Sequence, residues 1–218
     1  MSEEHSQSAH QHYLEEQDVG LTTHRLDALV DGIFAISMTI LVLALPMVGG
    51  ATAPANDKTG EMLISQLHTI YIYILSFINL AVFWIIHHQQ SHFIKHTDRT
   101  HIWLNIIFLM FIAIIPFSTA LVQNYLYDWV DEVFFAMNFM MVGVMLEMIW
   151  VYATHNYRLV VKNLSHDHIV VGIRRGLVAP LTSIVAIIMA FTDANISSSV
   201  YLLVPVILTL PYFHFKKS

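Results

Sequence analysis

Apolar runs of about 20 residues recur along this chain, and that is the length a helix needs to cross about 30 Å of hydrocarbon. Six are present, over 26–47, 66–91, 102–123, 132–154, 172–192 and 197–215. Polar, turn-forming stretches separate them: GGATAPANDKTGE, HTDRTH, NYLYDWVDE, HNYRLVVKNLSHDH and TDANISSS. In lipid every backbone polar group must be satisfied within the protein, so spans of this kind are helices. Only 12% of the 218 residues are charged, against about a quarter in a soluble domain, so lipid is the solvent this sequence expects. The reading is an all-α polytopic membrane protein with six transmembrane helices. Pro116, Pro180 and Pro205 fall inside spans 3, 5 and 6, where neighbouring helices can satisfy the freed carbonyls.

The same pattern divides the chain. Residues 1–24 form an acidic cytoplasmic tail without an apolar signal region, expected to be disordered, and its His5, His10 and His12 belong to that solvated tail. Residues 25–215 are one six-helix domain without internal repeat, and 216–218 are a basic cytoplasmic end. Chain direction follows from the basic residues. Arg25, Lys95, Arg99, Arg158, Lys162, Arg174, Arg175, Lys216 and Lys217 all fall on one side of a six-span topology, and only Lys58 on the other. The positive-inside rule places both termini in the cytoplasm. Cys is absent, which excludes disulfides and thiolate chemistry. No basic cluster points to nucleic acid, and no nucleophile–base set points to an enzyme.

Span 1, RLDALVDGIFAISMTILVLALP, carries charge where charge is expensive. At about 100° per residue, Gly32, Ile36, Thr39, Ile40 and Leu43 form one narrow stripe, and Asp31 points about 140° away from Ile36. Spacing alone reads that stripe as a packing face, with Gly32 permitting close approach. Arg25 projects onto it, so it needs a partner if cations are to pass. Arg25, Asp31, Trp84, His87 and Asn105 all lie near the cytoplasmic ends of spans 1 to 3. Together they can satisfy one another and clamp the three helices. His88, His92 and His96 recur every fourth residue and are candidate metal ligands, although they sit where the chain leaves the membrane. Glu147 is an isolated carboxylate in span 4, and pairing with Arg158 or Arg174 is expected.

In order and spacing these residues resemble the transmembrane protein 175 family of potassium channels, in its short prokaryotic single-repeat form. The family's first helix carries R-x-x-x-F-S-D, a small residue and an apolar run ending near Pro. Here that reads Arg25, Leu29, Val30, Asp31, Gly32 and Pro46, with Leu29 and Val30 in place of Phe and Ser. Trp84 and His87 match W-x-x-H, and Leu104, Asn105, Pro116, Phe117 and Ser118 match the third-helix pattern. The resemblance implies a homotetramer in a prokaryotic plasma membrane, with span 1 of each copy lining a central potassium pore. Ile36 would be its constriction, with Ile40, Leu43 and the Thr39 hydroxyl beyond, and Arg25, Asp31, Trp84, His87 and Asn105 would form the structural network. Potassium is then the permeant ion and no cofactor is expected. No T-V-G-Y-G stretch occurs, so a carbonyl filter of the common kind is absent. The competing expectation is a proton-coupled cation or metal transporter using Glu147 and the span 2 histidines.

Overall fold

The computed structural model describes residues 22–45, 64, 66–124 and 129–210. The acidic tail through residue 21 with His5, His10 and His12, the motif residue Pro46, Lys58, the last residues of spans 1 and 6, and Lys216 and Lys217 lie outside the described residues.

Among the described residues, five long helices and one broken one follow in order. They are α1 (Thr23–Leu41, ending in a 3-10 turn Val42–Ala44), α2 (Leu67–Ser91), α3 (Arg99–Asn124), α4 (Trp129–Thr154), α5 (His166–Ala190) and α6. Helix α6 is made of three pieces, Ala194–Ser197, a 3-10 segment Ser198–Leu202 and Leu203–Leu208. Among the described residues, α2 to α5 are long and apolar enough to cross a membrane, and α6 contributes a shorter apolar helix, Ser198–Leu208. Helix α5 begins six residues before the apolar run does. Ser165 caps it by accepting from the His168 amide, so the polar HDH triplet forms its first turn.

The core is a slab of aromatic and branched side chains running through all the helices, with Phe34, Phe83, Phe108, Phe135, Phe139 and Tyr201 buried in it. Helices α4 and α5 make its tightest seam. Gly143 of α4 faces Pro180 of α5 so closely that a Cβ on the glycine would lie 2.5 Å from the proline Cδ. Small residues let spans approach where lipid provides no hydrophobic drive between them. Toward the opposite end, buried hydroxyls and amides tie neighbours together. Thr119 donates to Ser76 at 3.0 Å, Asn138 to Ser118 at 3.2 Å and Tyr201 to Ser183 at 2.9 Å.

The α2–α3 and α4–α5 connections are strapped to each other. Ile94 and Val160 form an antiparallel bridge, with Lys95 N donating to Leu159 O at 2.9 Å and Val161 N to Phe93 O at 3.3 Å. The chain reaches this register through Asn156 and Tyr157, both at positive φ (53° and 54°). Asn tolerates that region and Tyr adopts it at a cost.

Candidate functional site

Helix α1 packs on the bundle with one face only. Leu26, Val30, Phe34, Ser37 and Leu41 are buried, none more than 2% exposed. The other face carries the predicted stripe, with Ile36 at 55%, Ile40 at 44% and Leu43 at 78% exposure, and Gly32 and Thr39 exposed beside them. A Cβ added to Gly32 would meet nothing within 4 Å. The close approach expected of this glycine is therefore not made within the chain. Thr39 donates its hydroxyl hydrogen to the Ile36 carbonyl at 2.8 Å, which leaves the oxygen's lone pairs on the exposed side.

Two hydrogen bonds hold α1 and its neighbours at the opposite end from Leu43. Trp84 Nε1 donates to Asp31 Oδ1 at 2.8 Å and joins α2 to α1. His87 Nε2 donates to Asn105 Oδ1 at 2.9 Å and joins α2 to α3. Each ring is also stacked, Trp84 on His88 at 5.3 Å and His87 on Phe108 at 5.4 Å. The expected five-residue cluster thus consists of two separate pairs. Arg25 is exposed and belongs to neither of these pairs.

The polar set also extends beyond what sequence reasoning singled out. Asn105 Nδ2 donates to the His101 carbonyl at 2.9 Å and lies 3.3 Å from His101 Nε2, while His101 Nδ1 meets Thr97 Oγ1 at 2.9 Å. The spacing of His101 and Asn105, four apart at the head of one helix, was the available signal. Gln90, 2% exposed, lies beside a 10 Å³ cavity that Asp27, His87, His101 and Asn105 also line. Its amide nitrogen and oxygen find no hydrogen-bond partner among the described residues.

Asp98, in the α2–α3 connection, anchors one end of this set. Its Oδ1 accepts from the His101 amide at 2.8 Å and its Oδ2 from the Tyr152 hydroxyl at 2.6 Å. Burial alone would raise this carboxyl. The Tyr152 hydroxyl, the His101 amide and the nearby His101 and Arg158 charges outweigh burial and hold it below the usual carboxylate range.

One expectation is corrected. Glu147 Oε2 has no hydrogen-bond partner among the described residues. It lies against Gly176 of α5, and the expected pairing with Arg158 or Arg174 is not made. Arg158 instead stands 4.8 Å over the Tyr152 ring. The weak metal-ligand candidates at the end of α2 are not brought together either. Among the described residues no three His, Asp or Glu side chains come together as a ligand set, so His88, His92 and His96 do not converge. The reason is placement, since His88 stacks on Trp84 inside α2 whereas His92 and His96 follow the end of that helix.

Fold and site define an all-helical polytopic membrane protein whose first helix presents an aliphatic face outward from its own bundle. The family described as "Endosomal/lysosomal potassium channel TMEM175" matches residues 25–116, somewhat less than half of the chain. A potassium channel of Streptomyces collinus is 32% identical over 105 residues, which are 47% of this chain and 48% of that protein. A potassium channel of Chamaesiphon minutus is 25% identical over 181 residues, 82% of this chain and 89% of that one. The match thus spans about half of the Streptomyces protein and most of the Chamaesiphon one. The crystal structure of a lysosomal potassium-selective channel TMEM175 homolog from Chamaesiphon minutus shares the fold, with a TM-score of 0.72 at 23% identity over 88% of this chain and 98% of that chain.

Proposed function

We propose that this chain is a potassium-selective cation channel of a prokaryotic plasma membrane, with six spans and both termini cytoplasmic. Four copies assemble around an axis, with α1 of each lining the central pore. The observation that carries this reading is the two-faced α1. Its buried side is locked to the bundle, and its free side is a row of Ile36, Ile40 and Leu43 with the Thr39 oxygen among them. Helix α5 exposes a similar row at Leu177, Leu181, Ile184 and Ile188, so what favours a pore wall on α1 is the family match over residues 25–116. The names of the relatives support potassium as the ion.

Selection then works without a carbonyl filter. At a ring of Ile36 side chains an ion sheds part of its water and receives little in return. Sodium holds its water more tightly, so its crossing costs more, and a difference of about 1.4 kcal/mol gives tenfold discrimination. A ring of Thr39 oxygens just beyond returns some ligation. The same aliphatic ring closes the pore by dewetting. Asp31, Trp84, His87 and Asn105 do not touch the ion in this mechanism. They set the position and rotation of α1. Arg25 shares the pore face and takes its partner from outside its own protomer.

The test is ion flux in liposomes. Ile36→Asn wets and widens the constriction and is expected to erode discrimination of potassium over sodium about tenfold. Unchanged discrimination in a conducting Ile36→Asn channel would move the filter elsewhere. A proton-coupled transporter is the second reading, and the unpartnered Glu147 Oε2 favours it. It predicts saturable uptake driven by a pH gradient. A channel gives downhill current without a coupled ion.

A further inference from the structure

Between the ends of α3 and α4 the surface holds a laterally open groove of 580 Å³. Leu104, Met148 and Val151 form its apolar walls, Thr100, His155 and Arg158 stand at its mouth, and Glu147 closes the far end. Glu147 and His155 are eight residues apart along α4, about 12 Å of helical rise. The hydrocarbon of one leaflet is about 15 Å deep, half of the 30 Å core. The groove therefore runs from the interface through most of one leaflet.

Its mouth is built rather than loose. Tyr152 is fixed by donating to Asp98 Oδ2 at 2.6 Å, and its ring holds the Arg158 guanidinium at 4.8 Å. The guanidinium is exposed, and its planar fork of donors matches phosphate oxygens. Thr100 adds a hydroxyl in the first turn of α3, at the positive end of that helix dipole. At the other extreme the Glu147 carboxyl offers an anion no positive partner. The polarity of the groove is thus defined, with negative charge welcome at the mouth and apolar chain inside.

We propose that this groove binds an anionic phospholipid of the cytoplasmic leaflet, its phosphate on Arg158 and one acyl chain along Leu104, Met148 and Val151. Basic recesses between spans on the cytoplasmic side suit such headgroups. The inference rests on the cytoplasmic placement of these helix ends proposed above, and is independent of conduction.

Native mass spectrometry of the full chain, purified from an equimolar mixture of phosphatidylglycerol and phosphatidylcholine, tests it. The wild-type protein retains phosphatidylglycerol in preference. Arg158→Gln reduces that preference about fivefold, the share of one basic contact, and Lys162→Gln leaves it unchanged. Met148→Trp fills the groove and lowers retention of both lipids. Should that variant fail to fold, a photo-crosslinking side chain at Val151 in the otherwise wild-type protein is expected to capture lipid. An unaltered preference in Arg158→Gln, equal retention of the two lipids by wild type, or capture of a second copy of the chain at Val151 would each overturn the proposal. Flux plays no part in these readouts, so failure here and failure of the channel reading are told apart.

Discussion

Phe34 and Ile36 are two residues apart on α1, yet they live in different solvents. Phe34 is 1% exposed and lies 5.9 Å from the ring of Phe108 on α3. Ile36 is 55% exposed and points away from its own bundle. Both are apolar, so hydropathy does not distinguish them. What separates them is about 200° of rotation around one helix. The lesson is that this helix does two jobs with one kind of side chain. One face holds α1 to its bundle, and the other is left exposed by it.

Substitutions that treat the faces alike should therefore give unlike results. The largest effect is expected at Phe34. Phe34→Ala opens a void between α1 and α3 and should cost about 3 kcal/mol, read as loss of folded protein on thermal melting in detergent. Asp31→Ala removes the acceptor of the Trp84 hydrogen bond and should cost about 1–2 kcal/mol. Its signature is less assembled protein by size in detergent, with selectivity unchanged in what assembles. If Asp31→Ala altered selectivity at normal assembly, the separation of anchor from working face would fail.

A smaller effect is expected away from α1, at Asp98. Folding holds its carboxyl below the usual value, so its contribution is complete above the unfolded value of about 4. It fades as pH falls through the depressed one. Tyr152→Phe removes the hydroxyl it accepts from, and should cost at most about 1 kcal/mol at pH 7. The acid unfolding edge should also move upward, by less than about one pH unit. An edge that stayed in place would mean the Tyr152 contact does not set the Asp98 proton affinity. The smallest stability change of the series is expected for Ile36→Ala, within about 0.5 kcal/mol in the isolated protomer. A large loss there would show that the outward face already contributes to the fold of one copy.

Much of this contrast was legible in the sequence, and for a local reason. The stripe of Gly32, Ile36, Thr39, Ile40 and Leu43 follows from helical periodicity, and the structure leaves those five residues on one exposed side. The Asp31–Trp84 and His87–Asn105 partners lie 53 and 18 residues apart. Composition could gather such residues at one end of the bundle, but pairing them took the packing. Depth and the family resemblance both group Arg25 with them, and neither specifies the direction of its side chain. Glu147 shows the same limit from the other side. A half-buried acid suggests a basic partner, but Arg158 found the Tyr152 ring, and Gly176 of α5 supplies the room that the carboxylate occupies. The break in α6 was illegible because its residues are apolar enough to read as one continuous span.

The strap between Ile94 and Val160 has a mechanical consequence. Two hairpins joined by main-chain hydrogen bonds at their bends are coupled there, so a shift of α4–α5 is felt by α2–α3. A tug on α4–α5 passes through that bridge to α2–α3, and then by way of Trp84 and Asp31 to α1. Leverage of this kind would let an event at the periphery turn the aliphatic row without touching it.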